Sequence, residues 1–127
     1  MKFLYLALGG SIGAILRYLV TIYSIKYIAW GFPVGTLLVN MLGSFLIGFA
    51  FVFFGREQIA LNFKIFLFIG IFGSFTTFST FMFESMDLFK NGMMKMAFLY
   101  ISVSNILGLA LVYMGFSLGE FFEKQLN

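Results

Sequence analysis

Charges are so sparse in this chain that long uncharged stretches stand between Lys2 and Arg17, Lys26 and Arg56, Lys64 and Glu84, and Lys95 and Glu120. A helix needs about 20 mostly apolar residues to cross the hydrocarbon core of a bilayer. Three of the stretches approach or exceed that length, and the first does so if Arg17 is tolerated within it. The pattern predicts an all-α membrane protein with four transmembrane helices, near 3–25, 33–54, 64–84 and 95–118, forming a single domain over 1–127. The linkers are short, about ten residues at most, and hold most of the charge.

Composition narrows the function. With 61% hydrophobic residues, 20 Phe and a mean hydropathy of +1.03, the 127-residue chain carries more apolar surface than a soluble globule of its size hides. It has no Cys and no His, which removes disulfides, thiol chemistry, imidazole acid–base work and the usual metal ligands. The five acids lie mostly in predicted loops, so no nucleophile and base pair can be assembled and an enzyme is not expected. The net charge of +3 comes from residues spread singly among loops, not from a patch that would track nucleic acid. Lys2 ahead of an apolar segment, with Ala7 and Gly9 following, has the look of a secretory signal. The apolar character runs past Arg17 and three more spans follow, so a retained helix is expected. Tyr27 and Trp30 ahead of Pro33 suit an interfacial anchor before the second helix.

Orientation is almost undetermined by charge. With four spans, Lys2, Arg56, Lys64 and Lys124 share one side, and Lys26, Lys90 and Lys95 the other. Lys and Arg favour the cytoplasmic side, and this distribution barely discriminates. It suggests an antiparallel, dual-topology homodimer of two oppositely inserted copies, the alternative being a weak but single orientation.

Several polar residues fall where lipid is expected. Gly9, Gly13 and Arg17 follow one another at intervals of four and share a helix face. The glycines admit a close neighbour, and Arg17 points into protein or a wet, anion-attracting vestibule, unless it snorkels to the interface. Asn40 must meet a neighbouring helix or a wet pathway, as glue or as a lining donor. Ser104, with Gly108 one turn on, lines either a narrow path or a close helix contact. In GIFGSFTTFSTF, residues 70–81, glycines and β-branched threonines predict a helix break over Gly73 to Thr77, the alternative being an unbroken helix with a small-residue face. Freed carbonyls there can coordinate a hard cation and a freed amide end an anion. Phe78 and Phe81 share a face, where positive ring edges can meet an anion or simply pack.

These residues resemble the Fluc (CrcB) family of small fluoride channels. The match runs through GGSIGAILRY at 9–18, GTLLVNMLGSFLIG at 35–48, GSFTTFSTF at 73–81 with Glu84 following, and YISVSNILGLAL at 100–111. Ser74 departs from the family's common second glycine, and Gly108 and Ala110 stand where some members carry hydroxyls, so the polar track of the fourth helix is thinner. The resemblance implies a dual-topology homodimer in the cell membrane, with two fluoride-selective pores that export fluoride passively and relieve its toxicity. By position it implies Phe78 and Phe81 as pore phenylalanines, Asn40 as a pore-lining donor, Thr80 and Ser104 as members of the polar track, and Arg17 beside an anion vestibule. It also implies a structural sodium ion at the dimer centre, held by the backbone carbonyls of Gly73 and Thr76 from each subunit. The rival reading is a proton-coupled antiporter like the small multidrug-resistance transporters. That chemistry needs a deep carboxylate, for which the sole candidate, Glu84, is expected at a helix end. A packing scaffold would use the same glycines but gives no reason for Asn40, Arg17 and the hydroxyls to occur together.

Overall fold

The computed structural model describes residues 1–28 and 31–126, so the anchor expected at Trp30 lies outside the described residues. Apolar runs without internal proline satisfy their backbone groups within themselves, and all the regular elements among the described residues are helical. The helices are α1 (Lys2–Tyr27), α2 (Val34–Phe54), α3 (residues 61–75), α4 (Phe78–Lys90) and α5 (Met94–Leu126). α3 and α4 together make the third of four segments, among the described residues, long and apolar enough to cross a membrane.

Three of the four spans run beyond the lengths expected from sequence, while α2 keeps its expected end and starts one residue later. Charge marks where lipid ends but does not stop a helix, so α4 continues through Asp87 to Lys90 and α5 through Glu120 to Leu126. At 33 residues, α5 is about 50 Å long, well over a hydrocarbon core of about 30 Å. Its last turns meet the α2–α3 loop through an ion pair of Glu123 with Arg56. α4 ends where Gly92 adopts φ +76°, a left-handed conformation that glycine takes without a Cβ penalty. There Met93 N–H donates to the Leu88 carbonyl and Gly92 N–H to the Phe89 carbonyl, closing the helix and turning the chain into α5.

Lipid is as apolar as leucine, so helices in a membrane associate by close packing rather than by expulsion of water. Small residues mark the seams accordingly. Gly9 and Gly13 of α1 are buried, and a Cβ on either would run into the carbonyl oxygen of Phe66 or Ile71 on α3. α2 and α5 lie parallel, with Ser44 facing Gly108, Gly48 facing Val112 and Val52 facing Gly119. Phe81, Leu88, Ala97 and Tyr100 form a buried cluster between α4 and α5, against which Phe32 and Leu37 also pack.

The third span is neither one helix nor broken across all of 73–77. Ile65–Phe72 is wound as a π-helix and Gly73–Phe75 remains helical, so the interruption is confined to Thr76 (φ −83°, ψ 159°) and Thr77 (φ −147°, ψ 121°). Two extended residues are enough to end one ladder of backbone hydrogen bonds and begin another.

Candidate functional site

The break is satisfied from outside its own helix. Thr77 N–H donates to Asn40 Oδ1 at 2.9 Å, and Asn40 Nδ2 donates to the Thr77 carbonyl at 3.0 Å. Asn40, half-buried on α2, therefore stands in for a missing helical turn and keeps one amide hydrogen free. Thr77 also caps α4: its hydroxyl accepts the Thr80 N–H at 3.3 Å and donates to Thr80 Oγ1 at 3.0 Å. Upstream, the Thr76 hydroxyl donates to the Phe72 carbonyl at 3.0 Å.

This pairing leaves carbonyl oxygens without a partner among the described residues. The Thr77 N–H, which an unbroken helix would direct to Gly73, goes to Asn40, and the Thr80 N–H goes to the Thr77 hydroxyl rather than to the Thr76 carbonyl. Gly73 is exposed and its side is open, with only the Phe68 oxygen within 4 Å of where a Cβ would stand. Bare carbonyls with free approach are the ligand type a hard cation prefers. No cluster of three or more carboxylate, His or Cys ligands exists among the described residues.

A cavity of about 320 Å³ opens beside the break, lined by Asn40, Ser44, Phe72, Gly73, Thr77 and Phe78 among others. Phe78 is 74% exposed, whereas Phe81 is buried. Their rings meet edge to face with centroids 6.2 Å apart, and Phe81 meets Tyr100 in the same manner at 5.0 Å. Phe78, Gly73, Thr76 and Asn40 are thus gathered around one space. Thr80, exposed, is tied to them through Thr77, and Phe81 through Phe78. Ser104 is apart on α5, with a buried Oγ that has no hydrogen-bond partner among the described residues. Arg17 is half-buried on α1, does not line this cavity, and makes no hydrogen bond or ion pair among the described residues.

Glu84 requires a correction. It is not at a helix end, because α4 runs six residues further, to Lys90. Instead it is clasped in the interior: Thr36 Oγ1 donates to its Oε1 and the Tyr100 hydroxyl to its Oε2, each at 2.8 Å. Tyr100 is fully buried and Thr36 nearly so. The expected set of site residues includes neither. Their signal was weak, since Thr36 and Tyr100 read as ordinary positions of apolar helices until the fold brings three helices to one carboxylate.

Comparison with known proteins bears on nearly the whole chain. Residues 4–116 match the family described as CrcB-like protein, Camphor Resistance (CrcB). A protein of Parabacteroides distasonis named fluoride-specific ion channel FluC is 43% identical over 120 residues, covering 94% of each chain. One of the same name from Legionella pneumophila (strain Lens) is 48% identical over 116 residues, 89% of this chain and 85% of that one. Another, from Shewanella piezotolerans, is 43% identical over 112 residues, 88% and 90% of the two chains.

Proposed function

The chain belongs to the CrcB-like family, and from that premise we infer that it is a fluoride-specific ion channel in a membrane it crosses four times. The observation that carries the reading at the site is the Asn40–Thr77 latch, which sets a helix start and the exposed ring of Phe78, edge to face with Phe81, beside a cavity between membrane helices. Fluoride is small and strongly hydrated, so a path through lipid must replace its water with donors. The free amide hydrogen of Asn40, the hydroxyls of Thr80 and Ser104 and the ring edges of Phe78 and Phe81 are donors of that kind. None is a full positive charge, so the ion is held weakly enough to leave as well as enter. Arg17 supplies the attracting charge at a distance from the narrow part. The flow is passive, driven by the fluoride gradient alone.

The working unit in this reading is a homodimer of oppositely inserted copies with two pores. Support comes from the near-balanced charge of the two loop sides and from Phe78, a ring left three-quarters exposed beside the bare carbonyls of one chain. A second copy across a twofold axis would cover that face and bring a second pair of Gly73 and Thr76 carbonyls to it. These residues suit a structural sodium ion, whose bound charge would hold the two breaks together.

Fluoride and chloride efflux from liposomes containing the purified protein tests the reading. Rapid loss of fluoride with retention of chloride is the expected result, and retention of fluoride or equal passage of chloride would sink it.

A further inference from the structure

Hydroxyls on these helices commonly turn back on their own backbone. Ser11, Ser24, Thr76 and Ser85 each donate to the carbonyl four residues earlier, at 2.6 to 3.0 Å. Ser44 makes no such bond among the described residues. It stands one turn beyond Asn40 on α2 and lines the same cavity as Asn40 and Phe78. The parallel register of α2 and α5 sets Ser44 against Gly108, and its Oγ lies 3.7 Å from where a Cβ on Gly108 would be. One turn back on the same two helices are Asn40 and Ser104. Extended by one turn, that register puts Asn40 and Ser104 at one level of the seam, although Ser104 does not itself line the cavity, while at the next level α5 has no side chain at Gly108.

We propose that Ser44 is a further fluoride contact, its hydroxyl supplying from α2 the donor that Gly108 leaves missing on α5; this rests on the channel reading above. An anion stripped of water needs donors at successive levels, and a helical turn without one, about 5.4 Å of apolar wall, is a barrier to its passage. Asn40 with Ser104 and then Ser44 make two consecutive levels along one seam.

The test uses the full chain in liposomes, following fluoride efflux alongside size-exclusion elution. Ser44→Ala slows efflux roughly tenfold, the effect of losing one hydrogen bond to a charge, and elutes as the unaltered protein does. Ser44→Thr, which keeps the hydroxyl, stays within about threefold of the original rate. In the double variant Ser44→Ala with Gly108→Ser, efflux recovers, because a Cβ at 108 meets only Met41 Cε and the residue-44 side chain at ordinary contact distance. Efflux of Ser44→Ala at the original rate would overturn the proposal. So would a slow Ser44→Ala that Gly108→Ser leaves slow, since a hydroxyl restored from the other helix does not repair a packing defect. Absence of fluoride efflux from the unaltered protein would instead remove the channel reading itself.

Discussion

Asn40 gives to and takes from a single residue, Thr77, and that reciprocity decides what its loss does. Asn40→Ala leaves the Thr77 N–H without a partner inside the membrane, at a cost of about 1–3 kcal/mol. It also removes the free amide hydrogen beside Phe78. The expected outcome is a lower unfolding temperature in detergent and fluoride flux at least about tenfold slower; unchanged values in both would show that the latch is dispensable. The two phenylalanines separate by burial. Phe81 packs edge-on to Tyr100 with 6% of its surface exposed, while Phe78 is open. Phe81→Ile therefore lowers thermal stability, by about 1–2 kcal/mol for a reshaped core side chain, as well as slowing flux. Phe78→Ile slows flux with little effect on unfolding of the single chain. Equal stability losses in both variants would mean that Phe78 is packed where Phe81 is.

At the scale of elements, the break between α3 and α4 depends on α2 coming very close to it. A Cβ on Gly43 would strike the Thr76 methyl and stand 3.3 Å from the Phe75 ring. Gly43→Ala is accordingly expected to destabilise the protein by about 1–3 kcal/mol through overpacking. Adding Thr76→Ser, which keeps the hydroxyl and the carbonyl but deletes the methyl, should recover most of that loss; a double variant as unstable as the single would place the strain elsewhere. The existence of a break was readable from glycines and β-branched threonines, because those residues weaken helices wherever they stand. Its narrowing to Thr76 and Thr77 was not, because the limit is set by Asn40 on another helix. Nor was the π winding of Ile65–Phe72, a run with a single glycine and no proline, which packs closely on the α1 glycines. The clasp of Glu84 by Thr36 and Tyr100 was hidden for the same reason: its partners are 48 and 16 residues away in sequence.

For the whole molecule the open matter is how many ways it enters the membrane, and the chain is unusually well suited to answer it. A helix bundle whose loops carry a clear excess of Lys and Arg on one side inserts with that side in the cytoplasm. Here the two sides differ by one basic residue, and the charges that do exist are partly neutralised locally, Arg56 pairing with Glu123 at the end of α5. The proposed twofold pairing needs both orientations in near-equal amounts, since an antiparallel dimer takes one copy of each. The chain contains no Cys, so one introduced thiol is the only one present. Gln58, in the loop between α2 and α3, and Asn91, in the turn between α4 and α5, are both exposed and uncharged, and with four spans they emerge on opposite faces. Replacing either by Cys leaves the charge balance untouched. A membrane-impermeant thiol reagent added from outside intact cells is expected to label about half of the protein in each variant, the proportion that near-zero charge bias dictates. Complete labelling at one position with none at the other would establish a single orientation. It would also exclude the antiparallel pair, and with it the meeting of Gly73 and Thr76 carbonyls from two opposed copies.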